Sequence, residues 1–414
     1  MNSHRIAGPA QIGSSGKAVS RLKALVDAAA SGPGLEAGDT NVLSISGGKD
    51  STALLLLARE LSVPNIQAVF CDTGHEHPVT YAYVDHLQAT LGIEIRRIRA
   101  DFSSQMANKR EYIAKRWPAD LMAGVPEVPG YWFRNDLEGC DSESDFPPAA
   151  PMPSRAPVNT YAPHAFMCWN WMPARRAVEP LTEERAAEVC AAAIAMLQPT
   201  GIPFLDLCLW KGRFPSTKTR FCTQELKVFP IQKQVFEPLM ALHTTQDVYS
   251  WQGVRADESL ARSKLPMQDE VGDGLINYRP LLHWSAADVF DMHRRHGIRW
   301  NSLYEGGMSR VGCMPCVNER KEGLANINRR YPEVIQRITK WEQAVSIASK
   351  RGSATLFTAV IDPTVLGSDA ISHHTHGIER MVEWSMTARG GRQFDLLAAA
   401  DDGKACSSAY GLCE

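Results

Sequence analysis

The sequence predicts an α/β protein in which a parallel sheet flanked by helices is interrupted by a Pro-rich insertion and followed by a helical C-terminal region. Three observations predict it. Short apolar, β-leaning runs alternate with helix-forming segments between Asn41 and Ile98, the pattern of a βαβαβ unit. The first run breaks directly into a small Gly-containing loop, Ser46-Gly47-Gly48-Lys49-Asp50-Ser51, and then into a helix. From 118 to 203, Pro, Gly, Asn and aromatic residues interrupt each other, which marks irregular chain. The expected organisation is an N-terminal arm and helix (1–40), the first part of the core (41–117), the insertion (118–203), the second part of the core with cysteine motifs (204–320), and a helical C-terminal region with a Cys-containing tail (321–414).

Over 414 positions the chain is 44% hydrophobic and 22% charged, an ordinary globular composition with enough length for a large core or two domains. Disorder as a whole is excluded. A net charge of -2 provides no global basic field of the kind that advertises nucleic acid. The apolar runs fall far short of the ~20 residues needed to cross a bilayer. Residues 1–20 are polar and Gly/Ser-rich, without an apolar signal core, so the expectation is a cytoplasmic protein with no membrane partner. In a reducing compartment the ten cysteines are buried small hydrophobes, ligands or nucleophiles and not a disulfide framework.

Taken in order, 1–16 reads as a loose arm, and Val19, Leu22, Leu25 and Val26 give 17–30 helical periodicity. The first strand is 42–45, and its helix is 52–60, rich in Ala, Leu, Arg and Glu. Between them, Gly47 and Gly48 let the backbone approach a phosphate chain. The helix start offers unpaired N–H groups and a positive dipole end, and Ser46, Lys49 and Ser51 add hydroxyls and a cation. A second strand, 65–70, ends at Cys71-Asp72-Thr73-Gly74-His75-Glu76. Polar residues at the carboxyl end of a parallel strand face the ligand crevice, so Asp72, Thr73 and Gly74 are expected on a nucleotide or its Mg²⁺. The competing reading is a helix N-cap before Pro78. A helix over 77–91 and a strand over 93–98 complete the unit.

The insertion holds one helical island, 182–197. Its Trp132, Trp169 and Trp171 with Arg134, Arg155, Arg175 and Arg176 read either as an irregular loop or as a surface that stacks bases and meets phosphates. Chemistry resumes at Arg220-Phe221-Cys222. A strand over 247–251 ends in a loop whose Arg255 and Arg262 suit bidentate phosphate or sulfate binding. Ser285 is placed to cap a helix running to His296. The segment 331–351 is amphipathic, with Val334, Ile338, Trp341 and Val345 on one face. Cys313 and Cys316 form a C-x-x-C, a spacing that lets two thiolates reach one metal. By itself it fits a redox pair, half a zinc site or half an iron-sulfur site. Cys140, Cys168, Cys190 and Cys208 read as structural, Cys71 as a buried strand thiol, and His373, His374 and His376 as solvated surface.

The Ser-Gly-Gly-Lys-Asp-Ser string fits neither a Walker loop nor a dinucleotide fingerprint. It resembles the PP-loop of the N-type ATP pyrophosphatases, which split ATP to AMP and pyrophosphate, and of the related phosphoadenosine phosphosulfate (PAPS) reductase family. Gly312-Cys313-Met314-Pro315-Cys316 resembles the Gly-Cys-x-Pro-Cys element of the iron-sulfur sulfonucleotide reductases. Arg220-Phe221-Cys222, followed by Leu226-Lys227 and Pro230, resembles their Cys-Cys segment. With Asp72-Thr73-Gly74, Gly253-x-Arg255-x-x-Glu258-Ser259, and Trp284 with Asp288-Val289, the resemblance covers most of 41–320. The chain is thereby identified as similar to the PAPS reductase-like family of adenine nucleotide α-hydrolases, which includes the ATP pyrophosphatase component of DNA phosphorothioation systems.

The resemblance implies an adenine nucleotide α-hydrolase-like sheet. ATP or a sulfonucleotide, with Mg²⁺, would lie on Ser46, Gly47, Gly48, Lys49, Asp50 and Ser51, on Asp72, Thr73 and Gly74, and on Arg255, Glu258 and Arg262. It also implies a 4Fe-4S cluster on Cys222, Cys313 and Cys316. Phe221 stands where that family has a further cysteine, so the fourth ligand is expected from the tail, at Cys406. Lys49, Asp50, Cys222 and Cys413 are the expected catalytic residues.

Two chemistries follow. In the first, a substrate oxygen attacks the α-phosphorus of ATP, pyrophosphate leaves over the loop with Mg²⁺ and Lys49 offsetting its charge, and the adenylated substrate accepts sulfur from Cys222 or the cluster. In the second, a tail thiolate attacks a sulfonucleotide and sulfite leaves. The intact loop favours the first and the tail cysteines the second. A nucleotide- and cluster-binding module without turnover is a third reading. The implied partners are an adenine nucleotide, a sulfur donor such as a cysteine desulfurase or a thioredoxin-like reductant, nucleic acid as an acceptor, and further copies of the chain in a homo-oligomer.

Overall fold

The computed structural model describes residues 16–134, 169–172, 177–242, 247–272, 274–357 and 372–387. In chain order these form α1 (Gly16–Ala29), β1 (Thr40–Ile45), α2 (Lys49–Glu60), β2 (Ile66–Cys71), α3 (Pro78–Leu91), β3 (Ile95–Ile98) and α4 (Ser103–Ala123). The later strands are β4 (Tyr131–Arg134), β5 (Trp169–Met172), β6 (Val248–Trp251), β7 (Gln268–Gly272) and β8 (Leu275–Tyr278). The described residues fall into two compact units, one within 1–109 and 196–414, the other within 110–195.

The first unit is built on a six-stranded sheet in the order β3-β2-β1-β6-β8-β7. Its strands pair in parallel except β7, which runs antiparallel to β8. Strand side chains alternate between faces, and each face is covered. Leu43 and Ile45 of β1 join α1, α2, α3 and helix Ala286–Arg295 in one core. Val42, Val69 and Ile98 join Ile231, Val235 and Phe236 in the other. Burial on both faces is why β1 and β2 read as near-continuous apolar runs. In α2, Leu54, Leu55, Leu56 and Leu57 are all fully buried, each contributing about 1.5–3 kcal/mol.

Strand order reverses between β1 and β6. At such a switch point the loops leaving the carboxyl ends diverge and open a crevice, and the Gly-containing loop sits there.

Several elements depart from the sequence reading. Helix α2 starts at Lys49 instead of Thr52, because Gly48 adopts the extended N-cap conformation and the Ser51 and Thr52 hydroxyls donate to its carbonyl at 3.1 and 2.9 Å. The β7–β8 pair was not anticipated: β7 is Gln-Asp-Glu-Val-Gly, polar and mostly exposed, as suits an edge strand that must not recruit another. The run 221–242 is one helical path in which α-turns alternate with π-turns at Gln224–Val228 and Gln232–Phe236. Pro230, which lacks an N–H, lies between the two π-turns. Ser285 caps Ala286–Arg295 as expected, in a reciprocal box with Asp288.

Beyond the sheet, helices Lys321–Arg330 and Pro332–Ala348 pack together with Ile378–Ser385, and Val334, Ile338, Trp341 and Val345 are buried as the periodicity predicts. His376 is also buried, against the expectation of a solvated surface, because His373–His376 forms a short helix packed on Ile378–Ser385. The second unit contains the antiparallel pair β4–β5 and helix Glu183–Met196, whose Ala186, Cys190 and Ala193 are buried. No helix among the described residues is long and apolar enough to cross a membrane.

Candidate nucleotide and thiol site

The loop between β1 and α2 is held open by backbone geometry. Gly47 has φ +76, and a Cβ there would lie 2.8 Å from Thr80 Cγ2, so both conformation and space demand glycine. Across the switch point, Gly253 lets the chain after β6 come close: a Cβ on it would stand 3.3 Å from the Asp50 carbonyl carbon. Within the loop, the Gly48 amide donates to Ser46 Oγ at 3.2 Å, and the Ser46 amide to Ser51 Oγ at 3.2 Å.

The first turn of α2 carries a buried ion-pair group. Asp50 is 1% exposed. One carboxylate oxygen accepts from Lys49 Nζ at 2.7 Å, and the other from Arg255 Nε at 2.5 Å. Arg255 also donates to Asp257 at 2.6 Å, and its amide donates to Glu258 Oε2 at 3.1 Å. Glu258 pairs with Arg262 in turn. Arg255, Glu258 and Arg262 are thus brought to the loop, where Arg255 neutralises Asp50.

Residues with no assigned role in the sequence complete the support. The Lys49 amide donates to the Tyr304 hydroxyl at 3.1 Å, His293 Nε2 donates to the Lys49 carbonyl at 2.9 Å, and Asn301 Nδ2 reaches the Gly47 carbonyl at 3.3 Å. Ser44 Oγ, buried in the crevice wall, has no hydrogen-bond partner.

At the end of β2, Asp72 accepts from the Gly74 amide at 2.9 Å and the Tyr81 hydroxyl at 2.7 Å, and pairs with Arg99 at 3.1 Å. The N-cap of α3 is His77, whose Nδ1 accepts from the Val79 amide. Thr73 turns inward, and its hydroxyl donates to Glu76 Oε1 at 2.7 Å. Glu76, 4% exposed, shares the Tyr81 hydroxyl proton with Asp72, its Oε2 lying 2.9 Å from that oxygen, and Oε1 lies 3.7 Å from Cys313 Sγ.

The C-x-x-C loop is clamped onto this turn. The Met314 amide donates to the His75 carbonyl at 2.9 Å, His75 Nε2 donates to the Pro315 carbonyl at 2.9 Å, and an Arg337 guanidinium nitrogen donates to the Met314 carbonyl at 3.0 Å. Burial pushes His75 down to about 3, so the ring stays neutral and acts as a fixed donor.

The thiols gather here. Burial pushes Cys222 up to about 11, with the Cys316 sulfur adding to the effect. Burial likewise raises Cys313, with Glu76 next and Lys227 opposing. Desolvation works against the Lys227 ammonium, but Cys313, Glu76 and Cys71 outweigh it and raise its pKa. Cys222 and Cys313 thus lie within electrostatic reach of Lys227, and Cys316 within reach of both thiols. Cys406 and Cys413 lie outside the described residues. Among the described residues, no three His, Cys, Asp or Glu side chains close on a single metal-ion position.

A cleft open to solvent runs between the two ends. Ser46 and Ser51 line it on the loop side, Cys71 along β2, and Glu76, Lys227 and Gly312 on the thiol side.

The phosphoadenosine phosphosulfate reductase domain model matches residues 40–124 and 192–319. An uncharacterized 37.8 kDa protein of Escherichia phage 186 is 42% identical over 90% of this chain and 96% of its own length. An adenosine 5'-phosphosulfate reductase of Mesorhizobium japonicum is 30% identical over 32% of this chain, which covers 44% of that protein. The crystal structure of PAPS reductase from Candida auris aligns with 73% of this chain and 98% of its own at 14% identity, with a TM-score of 0.31.

Proposed function

We propose, this chain belonging to the phosphoadenosine phosphosulfate reductase domain family, that it is an enzyme that binds an adenine nucleotide in the crevice between β1 and β6 and activates a substrate for sulfur transfer. The observation that carries this reading is a cleft lined by Ser46 and Ser51 at one end and by Lys227 and Gly312 at the other. A nucleotide with its phosphates on the loop reaches the sulfur end without leaving the cleft, which is what catalysis by proximity requires.

In the favoured course a substrate oxygen attacks the α-phosphorus of ATP and pyrophosphate leaves over the loop. The backbone at Gly47 and Gly48 and the positive start of α2 hold the departing phosphates. Lys49 can turn from Asp50 to the phosphate because Arg255 stays on that carboxylate, so no buried charge is stranded. Both Asp50 oxygens already face cations. A Mg²⁺ would therefore sit mainly on the nucleotide's own phosphates, as that ion commonly does, and would supply charge stabilisation there.

Cys222, Cys313 and Cys316 fit a soft metal group: they are partly buried thiols beside a cation that offsets thiolate charge. An iron-sulfur cluster bound there would supply electrons or sulfide. The chain's own part is to keep the thiols desolvated and next to Lys227. A cysteine desulfurase as sulfur donor and a nucleic acid acceptor belong to this course.

A second reading, sulfonucleotide reduction in which a thioredoxin-like dithiol supplies the two electrons and sulfite and the nucleotide are released, is favoured by Lys227, which would meet the sulfo group at the thiol end. To decide between them, anaerobic protein is given ATP with Mg²⁺, or a sulfonucleotide with a dithiol, and pyrophosphate and sulfite are measured. Pyrophosphate from ATP, reduced roughly a hundredfold by Lys49→Met, supports the first course, and sulfite supports the second. Nucleotide binding with neither product would make the chain a binding module and sink both.

A further inference from the structure

One charge in the cleft wall has no part in either course. Among the described residues the lining holds two charged side chains, Lys227 and Glu76, one of each sign. Arg337 is not in that lining: its guanidinium donates to the Met314 carbonyl at 3.0 Å and lies 5.0 Å from the Trp341 ring centroid.

Glu76 is held by its own turn. Oε1 accepts from the Thr73 hydroxyl at 2.7 Å, and Oε2 accepts from the Thr73 amide at 3.2 Å and shares the Tyr81 hydroxyl proton with Asp72. Cys313 Sγ lies 3.7 Å from Oε1, and the backbones of Glu76 and Cys313 meet in an isolated antiparallel bridge. A carboxylate offers about four lone-pair sites, and these four groups take them up. Little is left for Glu76 to do as a base or as a metal ligand. What it still presents to the cleft is its charge.

The hydrogen bonds alone do not call for that charge. In Glu76→Gln the amide oxygen, standing at the Oε2 position, would keep the Thr73 and Tyr81 bonds, and the amide nitrogen would donate to the Thr73 hydroxyl. Burying a carboxylate costs more than burying such an amide, so the charge serves the cleft and not the turn. With Glu76 and Lys227 both in the wall, the lining of the thiol end is balanced. An anionic group arriving there meets a like charge as well as a cation, whereas a neutral group meets no repulsion. Placing like charges side by side is a strong way to reject a wrong ligand.

We propose that Glu76 is a specificity-determining residue that bars a second anionic group, such as the sulfo group of a sulfonucleotide, from the thiol end and reserves that end for an uncharged acceptor. This rests on the nucleotide reading made under the proposed function and favours its first course, in which the phosphates stay on the loop and the acceptor brings no charge to the thiols.

The test uses the full chain purified anaerobically, as wild type and Glu76→Gln, with calorimetric binding of adenosine 5'-phosphosulfate, the methyl ester of AMP, and ATP with Mg²⁺. The first two ligands differ in whether an anionic sulfo group or a neutral methyl follows the phosphate. Wild type is expected to bind the sulfonucleotide more weakly than the methyl ester, and Glu76→Gln should raise the ratio of the two affinities in favour of the sulfonucleotide at least about tenfold. A wild type that prefers the sulfonucleotide, or a ratio unchanged in Glu76→Gln, overturns the proposal. Equal tightening or weakening of both ligands leaves the ratio unchanged and counts against it in the same way. If circular dichroism shows that Glu76→Gln does not fold, the wild-type preference decides. A wild type that binds none of the three, ATP included, would overturn the nucleotide reading itself, a failure distinct from that of Glu76.

Discussion

The two ends of the cleft are built in opposite ways. The phosphate-loop end is mostly local: Ser46, Gly48, Lys49, Asp50 and Ser51 bond among themselves within a few residues, and the long-range supports only brace it. The thiol end has almost no local structure of its own. Cys313 meets Glu76 from 237 positions away, and His75 meets Pro315 from 240. A site of the first kind stays in place as long as its strand and helix stand. One of the second kind exists only while distant segments remain docked, so it should be the first to loosen when packing is disturbed.

The largest expected effect breaks the loop end. Asp50→Ala leaves Lys49 and Arg255 without their shared carboxylate, and Arg255 is 5% exposed. Removing one partner of a buried pair costs up to about 3–5 kcal/mol, and Asp257, which stays on Arg255, holds the loss toward the lower end. Denaturant unfolding should show this, and a cycle with Arg255→Ala should return part of it. Simple additivity of the two losses would mean that the pair is not coupled.

The next effect acts on the thiol end from behind. Helix Pro332–Ala348 carries Arg337 onto the C-x-x-C loop and also carries Glu342, which is buried and accepts the Leu356 and Ile378 amides at 2.8 Å each. Burial raises the Glu342 carboxyl from 4.5 to about 7. The folded state therefore holds a proton that the unfolded state releases, and stability is fully present below about pH 4.5 and declines as pH rises to about 7. That difference corresponds to about 3 kcal/mol. Glu342→Gln should flatten that slope in unfolding measured between pH 5 and 8. An unchanged slope would remove Glu342 from the explanation.

A smaller change separates the two ends directly. His75→Phe keeps a ring against Phe204 but leaves the Pro315 carbonyl without its donor, which costs about 1–3 kcal/mol. Alkylation of Cys313 and Cys316 should quicken while nucleotide affinity holds. Equal changes at both ends would show that the cleft behaves as one rigid piece.

The smallest effect is Tyr304→Phe, which removes the hydroxyl that accepts the Lys49 amide and should cost about 0.5–1.5 kcal/mol. It should alter nucleotide affinity and leave thiol reactivity alone; the reverse pattern would place Tyr304 at the wrong end.

The sequence alone determined the elements whose residues speak to near neighbours. The β1–loop–α2 unit was legible because apolar runs and glycines occur where a strand, a turn and a helix need them. Ser285 was legible as a cap because its partner, Asp288, lies one turn away. The buried face of Pro332–Ala348 was legible because helical periodicity is local. Tertiary structure alone decided the rest. Strand β7 gave no apolar signal because an edge strand buries little of itself. The π-turns that set Lys227 among the thiols follow from packing. Glu76, His75 and Tyr304 have partners that sequence spacing cannot reveal. A hydrogen bond across two hundred positions leaves no period in the chain, since only the folded sheet brings its ends together.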